Sequence, residues 1–502
     1  MLKSLINKIK ELMYRMNIIK GLKSVSQIAN VDVGHEHYSR IELWKMLYRG
    51  YCPEFHDVVY MTPDGRKERR RSTLNMPKVA SSKMATLIFN EKCEINIDDQ
   101  PFEDYIKDVL KANSFNREYQ RYLEYGFALG GHVAKVYFDG KVRVSFVTAD
   151  CFVPVRWSAD EVQEGVFVTE TTKGQDRYTL LEWHVWEGQE YIIKNELYKS
   201  KNREELGVKV PLPELYPDLE ERVGITGLSG PMFAYWKPNT ANNFDFQSPL
   251  GISLFANALD TLKDLDAAFD SFQREFKLGK KRIIVSEKAI RTVVDTQTGQ
   301  MRRWFDSSDE VYEAMDTGDE NMIQEVGTTL RVEEHIGAIN AYLTILATQI
   351  GMSPGAFSFD ANGLKTATEV ISQNDETFRT KQSHETTVEA FVQRLIAIIA
   401  DVSALYGVYR APESYEVTVS FDDSIAEDAT ATANRQILLV GAGLQSKVRA
   451  IMKVQGVSKD EAEEILKAIV EEQRMAMSSQ VDMMGIGLGV EMNADTGTNT
   501  AE

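Results

Sequence analysis

The stretch SPLGISLFANALDTLKDLDAAFDSFQREFKLG, residues 248–279, decides how the chain is read. Phe255, Ala258, Leu262, Leu265, Phe269, Phe272 and Phe276 recur at alternating steps of three and four. That spacing is the narrow seam of a helix lying along one partner helix, not the broad stripe of an ordinary surface helix. Ser248 and Pro249 read as its start, a capping hydroxyl followed by proline at the first helical position. Gly279 reads as its stop. At ~1.5 Å per residue such a helix is expected to be roughly 45 Å long. Asp260, Lys263, Asp264, Asp270, Arg274 and Glu275 fall on the opposite face.

A second seam follows from about 330 to 350. Val332, Ile336, Ile339, Leu343, Leu346 and Ile350 again alternate steps of four and three. The intervening residues 280–329 read as strand and turn: a strand at Arg282–Val285, and a hairpin of Arg291–Asp295 with Gln300–Phe305 across Thr296–Gly299. After Gly351 comes MSPGAFSFDANGLK, a loop punctuated by glycine and proline and carrying Phe357 and Phe359. Thr366 with Glu369 then forms a capping box. It opens a helical pattern that reaches Gly407. The middle of that pattern, Gln373–Thr387, is polar nearly all round, as expected of a helix spanning between bodies or sandwiched between subunits. Its end, Val388–Tyr406, is strongly apolar.

Working outward, residues 1–23 carry six basic side chains against one acid, with Leu and Ile at helical spacing. This basic amphipathic helix suits a membrane surface or an acidic partner, and nothing else in the chain points to lipid. From 35 to 247 the pattern mixes helix and strand. Ser39 is expected to start a helix that Gly50 ends. Pro63-Asp64-Gly65 reads as a turn into the basic run Arg66-Lys67-Glu68-Arg69-Arg70-Arg71, expected to be a solvated loop rather than a nucleic-acid site. Helices are expected near 76–90 and 101–130. Asp139-Gly140 marks a hairpin of Val133–Phe138 with Lys141–Val147. Strands follow at 151–157, 164–172, 177–186 and 189–198, with a long loop over 199–230. Beyond the long helix, Glu416–Phe421 reads as a strand. Helices follow at 429–442 and 446–455, and from a capping box at Ser458 and Glu461 to about 475. The tail beyond Asp482 has the composition of a disordered segment.

Composition bounds the function. The chain has 502 residues, 43% hydrophobic and 26% charged, enough for several cores. No secretory leader is read at its start, and its apolar runs fall short of a membrane span. Its three scattered cysteines fit a reducing compartment. The net charge of −18 is the wrong sign for a tight DNA clamp, because affinity for phosphates comes from cations that displace counterions. It suits a surface that DNA slides past, and equally plain solubility. Gly351-Met352-Ser353-Pro354-Gly355 matches the nucleophile elbow letter for letter. A helical seam precedes it where a strand is required, and Pro354 has no N–H to build an oxyanion hole. His35 and His37 sit two apart with no further ligands placed by spacing, so no metal is expected. No phosphate-cradling glycine motif is present. Neither a catalytic residue nor a cofactor is expected.

The succession of capped helix 248–278, β insert 280–329, helix 330–350, loop 353–365, long helix from Thr366 and capped C-terminal helices resembles the portal protein family of tailed phages. The phrase Leu364-Lys365-Thr366-Ala367-Thr368-Glu369-Val370 is similar to that family's segment after its channel loop. The resemblance implies an α+β portal fold. Beyond a basic N-terminal segment (1–34) it implies a wing from 35–247 and 366–422, and stem helices at 248–279 and 330–351. It further implies a clip at 280–329, a channel loop at 352–365, a helical crown at 423–480 and a tail at 481–502. It implies a non-enzymatic channel subunit, twelve to a ring, at one capsid vertex, through which double-stranded DNA passes. The implied partners are the terminase large subunit, a head-tail adaptor, and the major capsid and scaffolding proteins. Phe357, Phe359, Asn362 and Lys365 are the implied channel-loop residues. Lys280, Lys281, Arg282, Arg302 and Arg303 would meet a partner or the DNA at the clip, or form a solvated surface. Phe255, Leu262, Phe269, Phe276, Ile336, Leu343 and Ile350 are the implied stem interface. The alternatives are another head component, minor capsid or adaptor, and a nucleic-acid-processing hydrolase.

Overall fold

The computed structural model describes residues 35–62, 65–158, 161–201, 206–279, 282–285, 291–294, 301–304, 323–326, 329–357, 367–421, 429–455, 457 and 461–472. The chain divides into two compact units. One comprises Met1–Ala361 with Glu376–Asp422, the other Asn362–Asp375 with Asp423–Glu502.

The first unit is built around the helix Phe115–Leu129. Phe115, Tyr119, Leu123 and Phe127 lie on one helical face and are all buried. Around them pack the helix Met76–Ile88 and the three-stranded sheet of Phe233–Trp236, His132–Phe138 and Val142–Thr148. The apolar half of the long helix Ala367–Leu405 joins them through Val388, Phe391, Leu395 and Ile399. Tyr119 stacks on Phe391 with ring centroids 5.4 Å apart. A larger antiparallel sheet carries Phe152–Ser158, Glu161–Lys173, Asp176–Glu187 and Glu190–Ser200 in sequence order. Asp139-Gly140, Lys173-Gly174 and Glu187-Gly188 turn the strands as read, with each glycine at positive φ.

Several expectations are corrected. Ser39 does not start a helix; it is buried inside the helix His35–Tyr48, which Gly50 does terminate. The single helix expected over 101–130 is two, Gln100–Ala112 and Phe115–Leu129. They break where the Asn113 amide donates to the Val142 carbonyl and its oxygen accepts from the Val144 N–H, 3.0 and 3.1 Å away. The Asn113 N–H still reaches the Val109 carbonyl, and the chain turns at Ser114, whose φ is +52°. The loop expected over 199–230 contains Val208–Val210 and Arg222–Ile225, which pair successive stretches of one edge of Glu190–Ser200. The basic run is not a loop. Gly65–Arg70 is a strand paired with Asp57–Thr62 in a separate two-stranded hairpin.

The largest correction concerns the stretch 248–279. The helix begins at Leu259, not Ser248, and spans 20 residues. Its length is therefore about 30 Å. Residues 250–256 are instead a buried, turning lead-in held to the central helix: the Leu254 N–H and the Ser253 hydroxyl both donate to the Phe127 carbonyl. The apolar spacing of Leu250, Ile252 and Phe255 reflects burial in this core rather than a helical face. Gly251 allows the close approach, because a side chain there would lie 2.4 Å from the Gly130 carbonyl oxygen.

In the β insert, Arg282–Val285 pairs with Ile323–Val326, and Arg291–Val294 pairs with Met301–Trp304 as the expected hairpin. Val417–Ser420 pairs with Glu94–Ile97. The second unit contributes the helices Ala429–Gly441, Lys447–Gln455 and 461–472, the first two packed on each other. The basic segment 1–34, the capping residues Thr366 and Ser458, and the tail lie outside the described residues.

Candidate functional site

The helices Leu259–Leu278 and Val332–Gln349 pack together as the two seams require. The seam is graded along its length. Leu262, Leu265, Ile339, Leu343, Leu346 and Ile350 are buried in the core of the first unit, Phe269 and Ile336 are half-buried, and Phe276 is 46% exposed. Phe255 lies in the lead-in, off the helix, and is fully buried. Within the single chain Phe255, Leu262, Leu343 and Ile350 have therefore no surface left to offer a neighbour. Near the insert, Phe272 packs edge-on to Phe276 at 5.1 Å and against His335 at 5.5 Å.

One polar clasp ties the first helix to the second, and another ties it to the hairpin segment. At the insert end, Glu275 accepts from Arg331 Nε and Nη2 at 3.1 and 2.9 Å, with His335 Nε2 3.7 Å away. The Arg331 hydrogen bonds hold the Glu275 carboxyl well below its usual range, at about 2. At the other end, Asp266 and Asp270 stand one turn apart on the first helix. Asp270 accepts a fork from Arg69, 2.8 and 2.7 Å, and the Ser72 N–H at 3.2 Å. Burial works to raise its pKa, but Arg69 and the Ser72 N–H win and keep it lowered. Asp266 accepts from the Thr73 hydroxyl, the Leu74 N–H and His56 Nε2 at 2.9, 3.0 and 3.2 Å. Asp266 and Asp270 thus grip the hairpin and the segment after it.

The cations of the basic run are spent in the same way. Arg70 donates to the Gly50 carbonyl, Arg71 to the Phe55 carbonyl, and Arg66 pairs with Glu68. Spacing alone could not show these partners. The available signal was an i, i+4 aspartate pair on one helix and an arginine run elsewhere in a chain that must neutralise both.

After the second helix the chain closes in a Schellman turn. The Met352 N–H reaches the Ala347 carbonyl and the Gly351 N–H the Thr348 carbonyl, with Gly351 at φ +72°. Ser353 is buried and locked to Thr377 of the long helix. Its N–H donates to the Thr377 hydroxyl at 2.8 Å, and its own oxygen accepts from the Thr377 N–H at 3.1 Å and hydroxyl at 3.0 Å. The serine of the false elbow is a splice between loop and helix. Lys83 donates to the Ala356 carbonyl at 2.7 Å and sits 5.2 Å from the centre of the Phe357 ring. Burial pulls its pKa down. Phe357 is half-buried; Phe359, Asn362 and Lys365 lie outside the described residues. So do Lys280 and Lys281, while Arg282, Arg302 and Arg303 are placed on the paired strands of the insert.

The long helix runs through both compact units, and its polar middle has one buried side. Thr377 holds Ser353, Lys381 pairs with Glu385, and His384 Nδ1 accepts from the Asn239 N–H at 3.0 Å. All four of these helix residues are buried. His37 is buried as well, and burial lowers its pKa to about 4. Among the described residues, no group of three or more His, Cys, Asp or Glu is placed to hold a metal ion. None of the described helices is long and apolar enough to cross a membrane.

The arrangement is thus a pair of helices flanking a β insert, followed by a glycine turn whose loop is spliced to a long helix. No individual curated protein matches the chain. The family model described as phage portal protein, SPP1 Gp6-like, matches residues 31–476, and with most of the chain covered by it in one continuous match, this is a member of the phage portal protein family.

Proposed function

We propose that twelve copies of the chain close into a ring whose axial hole passes double-stranded DNA. As a phage portal protein, each copy is a subunit of a homo-oligomeric ring at a capsid vertex, associated with DNA. The family's role is structural rather than enzymatic. In our reading the helices Leu259–Leu278 and Val332–Gln349 form the stem and residues 280–329 the clip. The loop after Gly351 then lines the channel, the α+β part is the wing, and the helices beyond 429 are the crown. The clip, with Lys280, Lys281, Arg282, Arg302 and Arg303, faces the terminase large subunit during packaging and a head-tail adaptor afterwards. Phe357, Phe359, Asn362 and Lys365 face the DNA. The outer wing meets the major capsid and scaffolding proteins during assembly in the host cytoplasm. Phe276 and Ile336, at the open end of the seam, lie nearest a neighbouring subunit.

The observation that supports this most is the clasped helix pair carrying the insert at one end and the spliced loop at the other. A net charge of −18 per copy makes such a channel weakly adhesive to DNA. Electron microscopy of the purified protein tests the reading: rings with a hole wide enough for a duplex are expected, and a monomer that persists at high concentration would overturn it.

A further inference from the structure

The hairpin Asp57–Thr62 with Gly65–Arg70 is a sheet of its own. A two-stranded ribbon is marginal in water unless something covers it. Its base is held by the Arg69, Arg70 and Arg71 contacts described above. Its outer part presents Val59, Tyr60 and Met61 to solvent, Met61 at 77% exposure. Tyr60 stands opposite Lys67 and Met61 opposite Arg66. With its arginines engaged in the chain's own pairs, this ribbon offers a partner chiefly apolar surface, which suits protein better than phosphate.

A second surface lies on the helix Val332–Gln349. Its buried residues Ile339, Leu343, Leu346 and Ala347 turn to the core. On the opposite face Glu334, Ala338, Ala341 and Ile345 are all exposed, Ile345 at 48%. An outward helix face is normally polar. Beyond the Glu333-Glu334 pair the centre of this face is small and apolar, and the exposed hydroxyls beside it, Thr344 and Thr348, donate back to the Asn340 and Thr344 carbonyls of the same helix.

We infer that these two surfaces meet between neighbouring copies: the hairpin of one subunit docks across the outward face of Val332–Gln349 of the next. The inference rests on the ring reading. A ring repeats one pair of unlike surfaces. Within one copy the hairpin segment is bonded to a flank of the first stem helix through Asp266 and Asp270, and the second stem helix covers that helix along its seam. Repeating hairpin, first helix, second helix around an axis sets each hairpin beside the uncovered face of a neighbour's second helix. Ala338 and Ala341 let a strand lie close.

The test places the photo-crosslinking amino acid p-benzoylphenylalanine at Met61, whose exposure tolerates replacement. Irradiated rings are expected to give a ladder of covalent multimers on a denaturing gel, with the link mapped to residues 334–348 of a second copy. Adding Ile345→Asp is expected to weaken the ladder severalfold while the far-UV circular dichroism of the subunit is kept. Rings without a ladder, a ladder mapped elsewhere, or a link to channel DNA would each overturn the contact and leave the ring standing. Absence of rings from the unmodified chain would overturn the ring reading and this contact with it.

Discussion

Asp270 shows how much a single side chain carries here. It accepts three hydrogen bonds from two residues some 200 positions away, and Asp270→Ala leaves the Arg69 fork without its acceptor. Loss of a charged hydrogen-bond partner of this kind costs about 1.5–3 kcal/mol, so a clear fall in thermal midpoint is expected. Gly351 is a second such residue. Its φ of +72° disfavours any side chain, and a Cβ would lie 2.7 Å from the Thr380 hydroxyl oxygen. Gly351→Ala is expected to destabilise by more than the ~1–2 kcal/mol of the left-handed conformation alone, read from denaturant unfolding. The buried histidines set the pH behaviour. Burial lowers His132 to about 3, and His37 and His384 to about 4, from an ordinary 6.5. The unfolded chain therefore takes up protons below pH 6.5 that the folded chain refuses, so stability falls as pH drops from 6.5 towards 4 and is insensitive to these groups above 6.5. Thermal midpoints measured from pH 7.5 to 5 should show that slope, and His132→Leu should make it shallower while His37 and His384 sustain the rest. His132 makes no hydrogen bond from either ring nitrogen, so the replacement strands no partner.

The elements were legible in the sequence to unequal degrees. The two seams, the hairpin at Asp139-Gly140, the sheet strands and the long helix were visible because their periodicity is dictated by one local neighbour or one glycine turn. The lead-in 248–258 was not, since its apolar spacing answers to the central helix Phe115–Leu129, more than a hundred residues earlier. The basic run looked like a loop because its partner Asp270 is remote. Of the candidate site, the helix pair was readable and its clasps were not. The polar middle of the long helix was read as spanning between bodies, and the helix does run from one compact unit into the other; the buried partners of Thr377, Lys381, His384 and Glu385 were not legible, because they lie on remote segments or depend on burial. At this scale Glu275→Gln should loosen only the insert end of the pair. Faster amide exchange is expected in the last turns of Leu259–Leu278, with no change in the global midpoint.

Ser353 and Lys83 anchor the loop after Gly351 up to Ala356. Deleting Phe357–Gly363 is expected to leave ring assembly intact and to impair DNA packaging; loss of the ring itself would make the segment structural. The bond between Arg69 and Asp270 also has a meaning in time. The two residues are 201 positions apart. At about 5–20 residues per second of synthesis, the hairpin emerges about 10–40 s before the helix that anchors it exists. A chain that ends before residue 270 lacks the acceptor to which Arg69 and the Ser72 N–H are bonded, so its hairpin is left without that anchor.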